Sequence, residues 1–376
     1  MQINIIGGGP SGLYFALLMK QQDPTHSITV FERNAPDATF GWGVVFSDKT
    51  LSYLRDADAR TYVQIIANFE TWDNVDVVHR DAKISIRGNK FSGIGRLKLL
   101  RILQNRCAEL GVNLKFESEI ANIDALADCD LLVGADGINS AVRQRYAEFF
   151  KPELSVRSNK YIWYGTRQLF HGLTLTFREN GDGVFAAHSY KFNKRTSTFI
   201  VECDPETWDA AGFDGKSEDE TRAYLQQVFA QDLGGHELLS NNSKWINFVN
   251  VRNQHWHHRN VVLLGDALHT AHFSIGSGTK LALEDSIALA QCFSDNAVVE
   301  TALRRFEEIR RPVIEEYQAA AFESLHWFEN VKSFMHLEPF DLAYSLMTRS
   351  KKIDHENLRR RDPVFISAYE SSQKQP

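Results

Sequence analysis

Gln2-Ile3-Asn4-Ile5-Ile6-Gly7-Gly8-Gly9-Pro10-Ser11-Gly12 runs from a short apolar strand into a glycine turn. Ser11 to Gln21 continues as a helix with apolar residues on most faces, and Ser27 to Phe31 reads as a second strand. Gly7, Gly9 and Gly12 have the GxGxxG spacing, in which glycines permit a tight turn and close backbone approach to a pyrophosphate. Pro10 and Ser11 open a helix whose unpaired N–H donors suit an anion. Glu32 closes the second strand, with Arg33 behind it, at the offset where a carboxylate accepts from ribose hydroxyls. An acid there favours a free 2′-hydroxyl, as in FAD or NAD, over a 2′-phosphate. The stretch therefore predicts an α/β nucleotide-binding fold.

The rest of the chain fits a folded protein. Its 376 residues suffice for two or three domains, and 43% hydrophobic with 11% aromatic content offsets chain entropy, which excludes disorder. Forty-two Lys and Arg against 48 Asp and Glu give a net charge of −6, the wrong sign for a nucleic-acid partner. Cys107, Cys129, Cys203 and Cys292 are scattered without a CxxC pair, so neither a disulfide framework nor a zinc site is expected. Leu13 to Met19 is too short for a membrane span, and a soluble, cytoplasmic protein is expected.

Asn89 to Arg96 reads as a Gly-rich connection into a helix over Leu97 to Leu110 that Gly111 ends. Asp130 to Val133 is a third strand of the nucleotide fold. Tyr161 to Thr166, Thr174 to Arg178, Val184 to Tyr190 and Thr198 to Cys203 alternate and predict an antiparallel sheet. A helix over Glu218 to Ala230 follows. Asn260 to Leu264 then returns to a buried strand and leads into a helix over Thr279 to Phe293. The expected division is a nucleotide-binding part at 1–155, a substrate sheet at 156–250 joined by part of 65–95, a returning nucleotide part at 251–320 and a helical segment at 321–376.

Asp130-Leu-Leu-Val-Gly-Ala-Asp136-Gly137 and Val261-Val-Leu-Leu-Gly265-Asp266-Ala267 resemble the second and third fingerprints of the FAD-dependent aromatic hydroxylases. Phe40-Gly-Trp42-Gly43-Val-Val-Phe-Ser47, Lys160 to Thr166, Ser197 to Glu202 and Thr270 to Asp285 narrow the likeness. They resemble the flavin domain of the salicylyl-CoA 5-hydroxylases and 2-aminobenzoyl-CoA monooxygenases, and the violacein-pathway indole hydroxylases. The resemblance implies a Rossmann-like FAD domain of the glutathione-reductase type, with an inserted antiparallel β-sheet substrate domain and a helical C-terminus. It implies FAD as cofactor, NADH or NADPH as co-substrate, and O2, which adds at the flavin C4a position and passes to an electron-rich aromatic ring. It also implies cofactor contacts at Asp136 and Gly137, at Gly265 and Asp266, at Arg96, which opens its helix, and at the Trp42–Gly43 loop. Gly276, Gly278 and Thr279 would meet the flavin at a helix N-terminus, whose partial positive charge suits an anionic reduced ring. More distant p-hydroxybenzoate hydroxylases have arginines where this chain has Trp42-Gly43-Val44 and a Pro-Pro pair where it has His272-Phe273. Their substrate residues therefore do not transfer.

His272, Phe273, His188 and Tyr190 are the candidates beside the substrate. His188 and Tyr190 share a strand face, as do Tyr161 and Trp163, with Tyr164 opposite. Trp163, Phe199 and their neighbours supply an aromatic lid, most of it core. His255, His257 and His258 lack metal-ligand spacing and read as solvated loop residues, so no metal is expected. Lys191, Lys194 and Arg195 at a hairpin tip read either as a charged turn or as a contact for CoA phosphates. The expected partners are a small aromatic substrate and O2, with the protein a monomer or homodimer. The substrate is expected to be an aromatic acyl-CoA, with an indole or free aryl metabolite as the alternative.

Overall fold

The computed structural model describes residues 1–296 and 298–374, with the backbone only at 47–50. Gln2–Ile6 lies at the middle of a six-stranded sheet, flanked by Ser27–Phe31 and Leu131–Gly134. Asn113–Lys115 extends one side and Val261–Leu263 the other, all parallel, and His257–His258 closes the edge as an antiparallel hairpin arm. Ile3, Ile5, Leu131, Leu132, Val262 and Leu263 are fully buried, as strands covered on both faces must be. The helix Pro10–Gln22 packs against Arg96–Leu110 and Gly278–Asp295 and buries every residue from Pro10 to Met19. Gly111 ends its helix in the left-handed conformation, φ 82°.

The eight-stranded sheet runs Leu238–Leu239, Pro152–Thr166, Thr196–Cys203, Gly183–Asn193, Leu173–Asn180, Val75–His79 and Ala82–Ile86, with Ile246–Asn253 also paired to Pro152–Thr166. Its pairings are antiparallel except that Leu173–Asn180 lies parallel to Val75–His79. One face carries Ile162, Tyr164, Phe185, Phe199 and Val201 and packs under the helices of residues 205–233. The opposite face packs in part on the C-terminal helices, where Trp327, Phe328, Leu342 and Leu346 meet Val77, Leu175 and Phe177.

Asn89 to Arg96 is not a plain connection. Phe91–Gly95 is a strand between Gly43–Ser47 and Glu70–Trp72 in a third, three-stranded sheet. Its glycines mark close packing rather than a loop, since a Cβ on Gly93 would stand 2.8 Å from the Lys191 carbonyl oxygen. The long helix Val299–Glu329 runs unbroken across residues 320 and 321. Among the described residues no helix is long and apolar enough to cross a membrane, and all four cysteines are free.

Candidate active site

The first fingerprint is held by backbone contacts. Gly7 has φ 113°, and a Cβ there would lie 2.1 Å from the Ala135 carbonyl oxygen. A Cβ on Gly12 would lie 2.2 Å from the Gly7 carbonyl oxygen, so strand, turn and helix touch only because both residues lack side chains. Gly9 is different: nothing lies within 4 Å of its ideal Cβ, and it N-caps the helix without a side-chain hydrogen bond. Pro10 takes the first helical position and Ser11 is buried against Gly265. Glu32 accepts from the Gly8 N–H at 2.8 Å and from the Asn34 N–H and side-chain amide at 2.8 and 2.7 Å. Its carboxylate thus shapes the turn as well as facing it, while Arg33 is exposed.

The other two strand ends converge on the same cleft. Asp136 accepts from Ser140 Oγ at 2.5 Å and from the Ala141 and Val142 N–H groups at 2.7 and 3.2 Å. It is therefore an anchor for the short helix Ala141–Arg145, and burial pushes its pKa up. Beside it nothing lies within 4 Å of an ideal Cβ on Gly137, whose φ is 80°. Asp266 is exposed in the short turn Gly265–Ala267 between buried neighbours; desolvation raises its pKa and Arg96 opposes that. Arg143, 1% exposed, donates to the carbonyls of Ala267 and Ile138 from behind. His269 bonds Asp285 at 2.6 Å, and Arg310 Nε donates to the same carboxylate at 2.8 Å. His269 thus organises the loop.

The donor set suits a dinucleotide with a polar ring. Among the described residues Arg96 Nε and Ser277 Oγ are buried without hydrogen-bond partners. The helix Gly278–Asp295 begins at Ser277 with no side-chain cap, and nothing stands within 4 Å of an ideal Cβ on Gly278. Gly276, φ 63°, turns the chain into that helix, and Thr279 is half-buried in its first turn. Two uncapped helix N-termini and an unpaired guanidinium nitrogen around one cleft are what a pyrophosphate and an acceptor-rich isoalloxazine need.

Trp42 and Gly43 lie against the eight-stranded sheet. The Gly43 N–H donates to Thr198 Oγ1 at 2.9 Å and its carbonyl accepts from Tyr190 at 2.8 Å, so both its polar groups are spent on the substrate sheet. A Cβ on Gly43 would meet Phe192 at 2.6 Å. Trp42 packs on Gly165, its carbonyl accepts from the Arg96 N–H at 2.8 Å, and among the described residues its Nε1 has no partner. This segment is a joint between the sheets. Tyr190 belongs to the joint too: it stacks on Trp72 at 5.7 Å, and its hydroxyl donates to the Gly43 carbonyl.

Cross-strand register sets the inner wall. Tyr161 pairs with Glu202 and Glu202 with Ala186, while Trp163 pairs with Ile200 and Ile200 with His188. Directly opposed residues share a face, so Tyr161, Trp163, Glu202, His188 and Tyr190 stand together and Tyr164 and Phe199 point outward. Phe273, half-buried, lies 4.7 Å from the Tyr161 ring and 5.2 Å from the His188 ring. Tyr161 is pushed up to about 12 by burial and by the charges of Asp266 and Glu202, so it stays neutral between them. His272 accepts from Ser274 Oγ at 2.8 Å, and burial lowers its pKa to about 4, leaving a neutral ring at neutral pH. Arg349 from the C-terminal segment donates to the Ser274 carbonyl and Ser324 Oγ, each at 2.8 Å.

Two of these residues carried no sequence signal as site residues. Glu202 ends the stretch Ser197 to Glu202, where the one charge in an otherwise uncharged run hints at a buried carboxylate but not at a site. Arg349 lies far along the chain and nothing local points to it. Of the basic cluster, Lys191 is paired with Glu70 at 2.9 Å, leaving Lys194 and Arg195 exposed at the hairpin tip. His257 bonds Glu307 at 3.1 Å and His258 stacks on Phe149 at 3.5 Å.

The profile described as FAD binding domain matches residues 1–321. The chain is 41% identical to a salicyloyl-CoA 5-hydroxylase of a Streptomyces species, over 97% of this chain and 72% of that protein. It is 37% identical to the protodeoxyviolaceinate monooxygenase of Chromobacterium violaceum, over 94% of this chain and 95% of that protein. Its fold matches that of 2-methyl-3-hydroxypyridine-5-carboxylic acid oxygenase with a TM-score of 0.72 at 19% identity, covering 96% of this chain and 97% of that one. The resemblance read from the three fingerprints is borne out, and with it FAD, NAD(P)H and aromatic hydroxylation: the chain belongs to the FAD-dependent aromatic monooxygenases built on this FAD-binding domain.

Proposed function

We propose that this monooxygenase hydroxylates the ring of an aromatic acyl-CoA thioester. The observation that carries the reading is its 41% identity, over nearly the whole chain, with a hydroxylase named for such a thioester. A free aryl or indole-derived substrate is the second reading, favoured by the 37% identity to a relative whose length the chain nearly spans. When bound, FAD supplies acceptance of reducing equivalents from NADH or NADPH and activation of O2. In this proposal Gly7, Gly9, Pro10, Ser11 and Gly12 cradle the pyrophosphate, and Glu32 and Arg33 flank the ribose. Arg96 and Asp266 oppose each other across the cleft, and Gly276, Gly278 and Thr279 present N–H groups to the ring system. Tyr161, Trp163 and Phe273 exclude water from the substrate's side. Residues 1–155 and 251–320 form the cofactor-binding part and 156–250 the substrate part. A cytoplasmic monomer or homodimer completes the proposal.

The test screens purified protein with FAD against aryl-CoA thioesters, free aryl acids and indoles for stimulated NAD(P)H consumption, with products identified by mass spectrometry. Stimulation and a hydroxylated product confined to thioesters support the first reading; confinement to free compounds supports the second. Lys194 and Arg195 are the remaining cations at the hairpin tip for CoA phosphates. Replacing both with Ala is expected to raise KM for a thioester severalfold without changing kcat, and an unchanged KM removes that contact.

A further inference from the structure

The strand Pro152–Thr166 has different neighbours along its two halves. Lys160 and Tyr161 lie between two strands, with Cys203 and Glu202 on one edge and Asn247 and Ile246 on the other. From Pro152 to Val156 the strand pairs only with Ile246–Asn253, and among the described residues no strand takes the opposite edge. Leu154 is 51% and Val156 67% exposed there, with Glu153 and Ser155 exposed beside them. A free edge with apolar side chains is a template for another strand, and proteins ordinarily blunt it with Lys, Pro or a bulge. Pro152 and the irregularity between Val156 and Lys160 bracket this segment, but neither device lies within it.

The inner pairing decides which backbone groups face the free edge. Leu154 stands opposite Val251 and Val156 opposite Val249. The Val251 N–H donates to Thr270 Oγ1 at 2.8 Å, and its carbonyl accepts from Gln318 Nε2 at 3.0 Å. Thr270 Oγ1 donates in turn to the Val249 carbonyl at 2.8 Å. Residues directly opposed in an antiparallel ladder exchange both hydrogen bonds or neither. Val251 spends its groups on the side away from Leu154, so Leu154, and by alternation Val156, turn their own N–H and C=O groups out of the sheet.

The segment is complementary to itself. With a two-fold axis at Ser155, Leu154 lies opposite Val156 of a second copy, so outward groups meet outward groups and apolar side chains meet apolar ones. Glu153 then lies opposite Arg157 of the second copy. Arg157 is held in place by Glu329, with its guanidinium 5.3 Å over the Phe322 ring. The neighbouring registers lose bonds. An axis at Leu154 sets Pro152, which has no N–H, opposite Val156. An axis at Val156 sets Ser158 opposite Leu154, and the Ser158 N–H already donates to Glu329 at 3.3 Å. An axis between two residues pairs outward groups with inward ones.

We propose that Glu153 to Arg157 is a homodimer interface, at which two copies of this chain join edge to edge, antiparallel about Ser155, and continue the eight-stranded sheet from one copy into the other. The inference is independent of which aromatic compound the enzyme takes. An edge this short buries less surface than a permanent dimer needs, so the association is reversible, with a Kd on the order of 10 µM.

The test begins with sedimentation velocity of the FAD-loaded full chain from about 1 to 200 µM, a range that brackets this Kd, and the mass is expected to rise from one chain to two. L154K/V156K sets like charges opposite each other and is expected to weaken association about tenfold or more, with Tm unchanged because both side chains are exposed. S155C reads the register. The two Cα atoms at the axis stand about 4.5 Å apart, within reach of a disulfide, whereas identical residues at 154 or 156 stand about 7 Å or more apart. Mild oxidation is expected to cross-link S155C into a dimer on non-reducing gels and to leave L154C, V156C and the wild type uncross-linked. A chain that stays monomeric at the highest concentration overturns the inference. So does a dimer that L154K/V156K leaves intact, or one in which L154C or V156C cross-links in preference to S155C.

Discussion

Gly7 and Gly9 stand two residues apart in the same turn but differ in what a methyl group would meet. At Gly7 it would lie 2.1 Å from the Ala135 carbonyl oxygen with φ at 113°, so G7A is expected to lower Tm or to leave the chain insoluble, with or without FAD. At Gly9 the space is open, so G9A is expected to keep the apoprotein's Tm within about 2 °C and to weaken FAD binding about tenfold or more. Differential scanning fluorimetry and FAD titration of the two variants check this. A G9A protein with undiminished FAD affinity would remove the pyrophosphate from this turn. Both roles were legible in the sequence because the fingerprint rests on contacts between neighbours along the chain. Glu202 was not legible as a site residue. Its meaning depends on the register that sets it beside Tyr161 and near His188, and register follows from how three strands align. Tyr190 is a related case: strand alternation puts it on the inner face, but only the fold brings the Gly43 carbonyl to its hydroxyl.

At the scale of elements, Glu307 ties the long helix Val299–Glu329 to the hairpin that edges the nucleotide sheet. It accepts from the Trp256 N–H at 3.0 Å, from His257 Nδ1 at 3.1 Å and from Arg311 at 2.5 Å. Burial opposes its charge, but His257, Arg311 and the Trp256 N–H prevail and lower its pKa to about 2. A carboxylate whose folded pKa is depressed stabilises the fold above its unfolded value, and that stability is lost as pH falls from about 4.5 toward about 2. E307Q is therefore expected to cost about 1–2 kcal/mol at pH 7 and progressively less below pH 4.5. Urea midpoints measured at pH 7, 5 and 3.5 would show the two curves converging, and a constant gap would contradict the assignment. The elements themselves were read well where one pattern dominated, as in the apolar strand before Gly7 or the alternation from Val184 to Tyr190. Phe91–Gly95 was missed because its glycines look like a loop in one dimension. In three they are where Trp72, Phe192 and the Lys191 carbonyl press against a strand.

Across the whole molecule, the match to the FAD-binding domain ends at residue 321, but the core does not. Val331, Leu342, Ala343, Leu346, Met347, Leu358, Phe365 and Ile366 are buried against Val75, Val77, Leu175, Phe177 and Ala186 of the eight-stranded sheet. Trp327 and Phe328, at the end of the long helix, sit in the same cluster, and Phe328 packs 4.7 Å from the His188 ring. Arg349 carries the connection to the cofactor side through Ser274 and Ser324. Removing residues 331–376 would uncover a contiguous apolar face on the sheet and leave the Ser274 turn without its guanidinium clamp. Surfaces of that size drive aggregation. A chain ending at residue 330 is therefore expected to be insoluble, or soluble but unable to hold FAD, when expressed beside the full chain and assayed for yield and flavin absorbance. R349A in the full chain separates the two contributions: it keeps the apolar cover and is expected to fold, with FAD bound about three- to tenfold more weakly. A soluble chain of residues 1–330 binding FAD as tightly as the full protein would show that the cofactor site closes without the C-terminal helices, and would confine their role to covering the sheet.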